Sequence, residues 1–304
     1  MANTLRSINK NINSDPQGFI ELTEREFDDS LEKAADMILG NSDYDIVMLA
    51  GPSSSGKTTT AGKLVEKIHS RGESSFRVSL DDFYLNRDDI PMTENGIRDF
   101  ENITALDLEL IYSTFDDLIK KRVGYLPVFD FASGRRAEKM NKVRLEKNDV
   151  MIVEGIHALN PRIAEGLEKD HILKIYISVS TRITEEDGDV LLGKRDLRLI
   201  RRMIRDYHHR GSSVEDTLTR WPGVLAGEDK YLFPYRKNAD IKINSFHAYE
   251  PCLFRDDAIK LLDGIDRESE LYPEAQRLSE RIGRFDGIPS ELLPKSSLLR
   301  EFMC

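Results

Sequence analysis

The chain has 304 residues, of which 39% are apolar and 32% charged, enough for one large α/β unit or two smaller ones with a substantial core. Its net charge of −10 argues against nonspecific nucleic-acid binding by the whole surface, and no apolar run approaches the roughly 20 residues of a membrane helix. The two cysteines, Cys252 and Cys304, lie far apart and make no metal-binding spacing, so a reducing cytoplasm is the simplest home.

The first 20 or so residues are polar, lack a signal-peptide core and are expected to be loosely held. From Thr23 the pattern changes. Thr23 with Glu26 reads as a capping box, Phe27, Leu31, Ala34, Ala35, Ile38 and Leu39 repeat at helical spacing, and Gly40-Asn41 ends the helix. Residues 1–44 thus read as a polar segment plus one helix packed beside a sheet.

Ile46–Ala50 is an apolar run suited to a buried strand. It leads into Gly51, four residues, then Gly56, Lys57 and Thr58, the G-x-x-x-x-G-K-T pattern. Such a loop aims successive backbone N–H groups at one point, and the helix that starts near Lys57 adds its positive end. Gly51, Ser53, Ser54, Ser55, Gly56, Lys57, Thr58 and Thr59 are therefore the expected phosphate-binding set. Lys57 reaches the β- and γ-phosphates and the Thr58 hydroxyl binds Mg²⁺.

A second strand over Phe76–Leu80 closes on Asp81-Asp82-Phe83-Tyr84, where open α/β sheets place ligands. Asn86–Asn102, with Pro91 and Gly96, reads as an excursion over that edge. Ala105–Arg122 reads as one helix with Leu106, Leu110, Ile111 and Leu118 inward, Leu126–Phe131 as a short strand, and Ser133–Lys147 as a basic, turn-rich stretch. Val150–Val153 is a third strand, ending in Glu154 as a Mg²⁺-directed carboxylate should. Ile172–Val179 is a fourth.

Ser180–Arg210 holds the densest basic cluster. Arg198, Arg202 and Arg205 fall on one helix face, with Arg210 at the end, and read as a lid over phosphates. The plainer alternative is a solvated helix whose arginines pair with Asp196 and Asp206. His208-His209 point to different faces and do not make a metal site. The acidic stretch 184–189 lacks calcium-loop spacing. Trp221 is the single tryptophan, Ala239–Asn244 reads as a last strand, and the tail from Tyr249 is helical, ending in an apolar set, LLREFMC, expected to dock.

The ordered segments GPSSSGKTT, SLDDFY, DFENITALDLELI, PVFDFASGRR, VEGIHAL and RRMIRDYHHRG resemble the uridine kinase and phosphoribulokinase family over roughly residues 45–245. The resemblance implies that Asp81 acts as base toward the acceptor hydroxyl, Glu101 holds ribose hydroxyls and Glu154 is the Walker B acid. It matches Arg202, Arg205 and Arg210 to three lid arginines. The departures fall on the acceptor side. Phe129 replaces a base-reading tyrosine, Gly134 replaces a histidine, Ser212 replaces a further lid arginine, and Arg220 stands where a neutral glutamine contacts ribose. Arg135 and Arg136 remain as alternative readers of the base, and Arg220 pairs either with an anionic acceptor or with Asp216 one turn away.

The expected fold is a three-layer α/β P-loop NTPase fold with a parallel central sheet, a helical lid (about 181–228) within a 45–248 kinase unit, and a C-terminal helical extension over 249–304. The expected activity is ATP (or another NTP):Mg²⁺-dependent phosphoryl transfer to a hydroxyl of a small molecule. Asp81, Lys57 and Arg205 are the catalytic set, Arg202 and Arg210 assist the nucleotide, and Asp81, Tyr84, Glu101, Phe129, Arg205 and Arg220 face the acceptor. Uridine or cytidine is the leading acceptor. A different sugar, polyol or anionic metabolite is the alternative, and a nucleotide-dependent switch is the alternative of another class. No N-K-x-D guanine motif and no L-S-G-G-Q transporter motif occurs. Neither nucleic acid nor membrane is an expected partner, and homo-oligomerisation is left open.

Overall fold

A computed structural model describes all residues except 1–2, 42–43, 93–97, 132, 147, 166, 168–170 and 304. Gly96, Lys147 and Cys304 thus lie outside the described residues. Two helices open the chain, α1 (Leu5–Ser14) and α2 (Pro16–Leu39). The first 20 residues are therefore not loose: Ile8, Ile12, Phe19 and Ile20 are buried. Asp15 caps α2 by accepting the Gly18 N–H at 3.0 Å, with Pro16 pre-set in the first turn. Thr23 lies inside this helix rather than at its cap, and its hydroxyl donates to the Ile20 carbonyl at 3.0 Å.

Next come β1 (Ile46–Ala50), α3 (Lys57–Ser70) and β2 (Ser75–Ser79). A 3₁₀ turn over Leu80–Phe83 carries Asp81 and Asp82 off the end of β2. The helix expected over Ala105–Arg122 is shorter and divided. A 3₁₀ turn (Ile103–Ala105) precedes α4 (Leu108–Asp116), which Asp107 caps, and a wider π turn (Asp117–Lys121) follows it. The strand expected over Leu126–Phe131 is split at Pro127, which has no N–H to give a ladder. Two small antiparallel pairs result: β3 (Val123–Leu126) with β6 (Asn141–Arg144), and β4 (Phe129–Asp130) with β5 (Arg135–Arg136). The basic 133–147 stretch thus supplies strands as well as turns.

The chain continues through β7 (Val150–Glu154), β8 (Ile172–Ser178), the hairpin β9 (Ile183–Thr184) and β10 (Val190–Leu192), then α5 (Lys194–Arg210) and α6 (Val214–Tyr231). It ends with β11 (Ile241–Asn244), α7 (Glu250–Leu262), α8 (Tyr272–Ile282) and a 3₁₀ turn over Leu298–Glu301. The central sheet is parallel, in the order β11-β8-β1-β7-β2. It is covered on both faces, which is why its inner strands read as unbroken apolar runs. Val47, Leu49, Ile175 and Ile177 meet α2, α3, α5 and α7 on one face, while Met48, Ala50 and Val153 meet Phe83, Ile111 and Phe115 on the other. Among the described residues no helix is long and apolar enough to cross a membrane.

A buried ion pair ties α5 to α7. The Arg201 side chain is wholly buried. Its Nε donates to Glu250 Oε2 at 2.5 Å, its Nη2 donates to the Ser245 carbonyl at 2.7 Å, and its guanidinium lies 5.1 Å over the Phe302 ring. Burial pushes the Glu250 carboxyl up, and Arg201 pulls it back. Glu250→Ala is expected to cost about 3–5 kcal/mol, because it leaves the guanidinium charge buried without its counter-ion. A urea titration checks this; a loss below about 1 kcal/mol would mean that the arginine stays solvated.

Candidate active site

A cavity of about 610 Å³ opens over the C-terminal ends of β1, β7 and β2. The loop between β1 and α3 forms its floor. Gly51 passes so close to β8 that a Cβ there would stand 2.2 Å from the Ile177 carbonyl. Ser54 and Gly56 adopt left-handed backbone, with φ of +57° and +84°, which turns neighbouring N–H groups inward into an anion-binding nest. The Ser54 and Ser55 hydroxyls are buried and have no partner among the described residues. Lys57 folds back over the loop and donates from Nζ to the Pro52 carbonyl at 3.1 Å. Ser53, Ser54, Gly56, Lys57 and Thr58 line the cavity; Ser55 lies beneath it, and Thr59 is turned toward the tail, its hydroxyl donating to Glu301 Oε2 at 2.5 Å.

Two carboxylates face this floor. Thr58 Oγ1 donates to Glu154 Oε1 at 3.1 Å, as expected for a hydroxyl and an acid that share a cation. Burial, and then the charge of Asp81, push the Glu154 carboxyl up to about 7. A divalent cation would relieve both. Among the described residues no cluster of three or more His, Cys, Asp or Glu side chains could hold a metal alone. Mg²⁺ binds through one or two protein groups and completes its shell with water and substrate phosphate, so Thr58 and Glu154 are the residues that would hold it. Asp81 lines the cavity, and among the described residues no hydrogen bond is given to its carboxylate. Asp82 instead turns away and accepts the Phe129 N–H at 3.1 Å. The structure thus distinguishes two acids that are adjacent in sequence.

The arginine helix divides by face. Arg202, Arg205 and Arg210 line the cavity around one partner, the buried Asp206, with Arg205 Nη2 at 2.7 Å from Asp206 Oδ1. Arg202 Nη1 also donates to Ser53 Oγ at 2.7 Å. The paired-helix alternative is therefore correct for Asp206. It is not correct for Asp196, which pairs with Arg277 of α8 at 2.6 Å. Arg198 does not share the cavity face. It is buried against Glu228 of α6 at 2.6 Å and packs 5.3 Å from the centre of the Trp221 ring. It also donates to the Ser53 carbonyl at 3.0 Å, while Glu228 accepts the Ser53 N–H at 2.8 Å. This pair clamps the loop and does not face phosphate.

At the other end of the cavity Tyr84, Phe129 and Phe131 form an aromatic wall, with ring centres 5.7 and 5.1 Å apart. Glu101 lines the cavity, and burial raises its carboxyl to about 7 despite the nearby charge of Arg202. Arg220 lines the cavity and, among the described residues, makes no ion pair, so the expected alternative of pairing with Asp216 does not hold. Arg135 and Arg136 are engaged elsewhere, with Asp88 and Asp107, and neither lines the cavity. Sequence reasoning missed Arg87. A Cβ on Gly134 would stand 2.8 Å from Arg87 Nε, so the arginine occupies the space vacated by a side chain at 134. Glu301, His209 and Phe100 were also missed as lining residues.

The raised Glu101 carboxyl sets a pH dependence. In the folded, ligand-free protein it holds its proton up to about pH 7, against 4.5 for the ordinary group. The folded state then binds more protons than the unfolded chain across that window, so stability falls as pH rises through it and levels off above. The melting temperature is expected to fall across the window, and Glu101→Gln to reduce the slope; an unchanged slope would contradict the burial of this carboxyl.

Comparison with known proteins agrees with this geometry. The phosphoribulokinase / uridine kinase family model matches residues 46–250. The chain is 30% identical over 199 residues to a uridine kinase of Bacillus pumilus (strain SAFR-032), covering 65% of this chain and 85% of the relative. It is 28% identical over 196 residues to a uridine kinase of Halobacterium salinarum, covering 64% and 77%. A D-glycerate 3-kinase structure from Cryptococcus neoformans superposes with a TM-score of 0.50 at 15% identity, over 67% of this chain and 88% of that one, a likeness of fold. The matched span begins at β1 and contains the loop, Asp81, Glu154 and the arginine helix; the chain belongs to the phosphoribulokinase / uridine kinase family.

Proposed function

We propose that the protein transfers the γ-phosphoryl group of ATP to a hydroxyl of a small metabolite, with Asp81 orienting that hydroxyl and accepting its proton. The observation that carries this reading is the Asp81 carboxylate. It lines the same cavity as the loop, with no hydrogen bond or ion pair among the described residues, and its neighbour Asp82 is taken by Phe129. Loop amides and Lys57 hold the β- and γ-phosphates, and Arg202, Arg205 and Arg210 offset charge on the transferring group. Thr58 and Glu154 would hold Mg²⁺, which supplies further charge neutralisation when bound. Asp81 acts chiefly by position, because proton transfer comes late in a loose transition state.

The aromatic wall supports an acceptor with a flat face, and a nucleoside such as uridine or cytidine is the leading one. Two observations favour a second reading. Arg87 and Arg220 both line the cavity with no ion pair among the described residues, a pattern suited to an acidic metabolite. The wall offers no side-chain hydrogen-bonding group at 129 or 134, so discrimination between pyrimidines is expected to be weak, within roughly 10²-fold. ADP release should be measured over uridine, cytidine, and neutral and anionic polyols. A uridine kcat/KM above about 10⁵ M⁻¹s⁻¹ with sharp rejection of other bases would sink the second reading. Slow hydrolysis that no acceptor stimulates would favour a nucleotide-dependent switch instead.

A further inference from the structure

We propose that Glu301, carried by the C-terminal turn, selects ribonucleotide donors by accepting hydrogen bonds from the 2′- and 3′-hydroxyls of the nucleotide ribose. The inference rests on the phosphate-loop reading above. The sheet order sets the direction. The acceptor end of the cavity lies beyond β7 and β2, on one side of β1. With the phosphates on the loop and the γ-phosphoryl toward Asp81, the nucleoside part of the donor leaves toward β8 and β11. The C-terminal turn stands on that side: Phe302 packs on Arg201, which is bonded to Ser245 just after β11. Glu301 and His209 line the cavity.

The turn is fixed relative to the loop. Leu298, Leu299 and Phe302 are fully buried, and a Cβ on Gly56 would stand 2.5 Å from Leu298 Cδ1. Ser297 Oγ donates to Glu24 at 2.5 Å, and His209 Nε2 lies 2.8 Å from the Met303 carbonyl. The Glu301 carboxylate is therefore held in place, with Oε2 occupied by the Thr59 hydroxyl at 2.5 Å and, among the described residues, no hydrogen bond given to Oε1. A carboxylate repels phosphate oxygens, yet it is a pure acceptor that suits the paired O–H donors of a vicinal diol. Arg210 lines the same cavity; burial and then the neighbouring Arg205 disfavour its charged form, and Asp206, Asp81 and Glu301 offset part of that.

The test is calorimetric titration of the full chain with ATP, 2′-deoxy-ATP and inorganic tripolyphosphate at one fixed Mg²⁺ concentration. The wild type is expected to bind ATP about tenfold more tightly than 2′-deoxy-ATP, the scale of one charge-assisted hydrogen bond. Glu301→Ala should bring the two within about twofold and leave tripolyphosphate within about twofold of wild type. Glu301→Gln, which keeps an acceptor for Thr59, should fall between, and it carries the test if the alanine variant does not fold. Equal wild-type affinities for the two nucleotides would overturn the proposal. So would tighter binding of all three probes by Glu301→Ala, which would show a carboxylate that only repels phosphate. Tripolyphosphate and ATP both failing to bind the wild type would remove the phosphate-loop reading itself. Binding without ribose preference removes this inference alone.

Discussion

Lys57→Ala is expected to lower kcat/KM for the nucleotide by roughly 10⁴, about 10²–10³ of it from lost stabilisation of the transferring phosphoryl group and the rest from weaker triphosphate binding. The expectation follows from place. Among the described residues the ammonium has only the Pro52 carbonyl as hydrogen-bond partner, so it is available to the phosphates without breaking an ion pair. Its removal should leave stability nearly unchanged, because it closes no buried pair. Steady-state kinetics beside a thermal melt separate the two effects. A near wild-type rate with an intact fold would mean that the loop does not hold the reacting phosphates.

Asp81→Asn keeps the size of the side chain and removes the proton acceptor. The rate should drop by roughly 10²–10⁴, the usual range for a positioned base, with ATP affinity close to wild type. Asp82→Asn should be far milder, because an amide oxygen can still accept the Phe129 N–H. Burial also pushes the Asp82 carboxyl upward, which disfavours its charged form. Equal losses for the two variants, or the larger loss at 82, would reverse the assignment.

What the sequence revealed follows from range. The buried strands and the loop are local patterns, and β1, β7 and β8 lie within a residue or so of where their apolar runs place them. Asp81, Glu154 and Lys57 were legible because each sits at a strand end or in a motif with its own geometry. Arg198 was misplaced because helical spacing shows which residues share a face but not what covers it; Glu228, its partner, lies 30 residues on. Glu301 lies 242 residues from Thr59, and nothing local in LLREFMC signals a cavity. The opening helix was missed because Ile8 and Ile12 are an isolated pair in a polar run, and their burial depends on the distant C-terminal half.

The clamp between Arg198 and Glu228 has an optical consequence. Trp221 is the sole tryptophan, it is buried, and its ring lies beneath the guanidinium that grips Ser53. It also follows Arg220, which lines the cavity. Its emission therefore reports on one indole, in contact with the phosphate loop through a single side chain. On the proposed kinase reading, excitation selective for indole is expected to follow nucleotide binding at the loop in the unlabelled protein, and a change in intensity would flag a candidate acceptor before any product is sought.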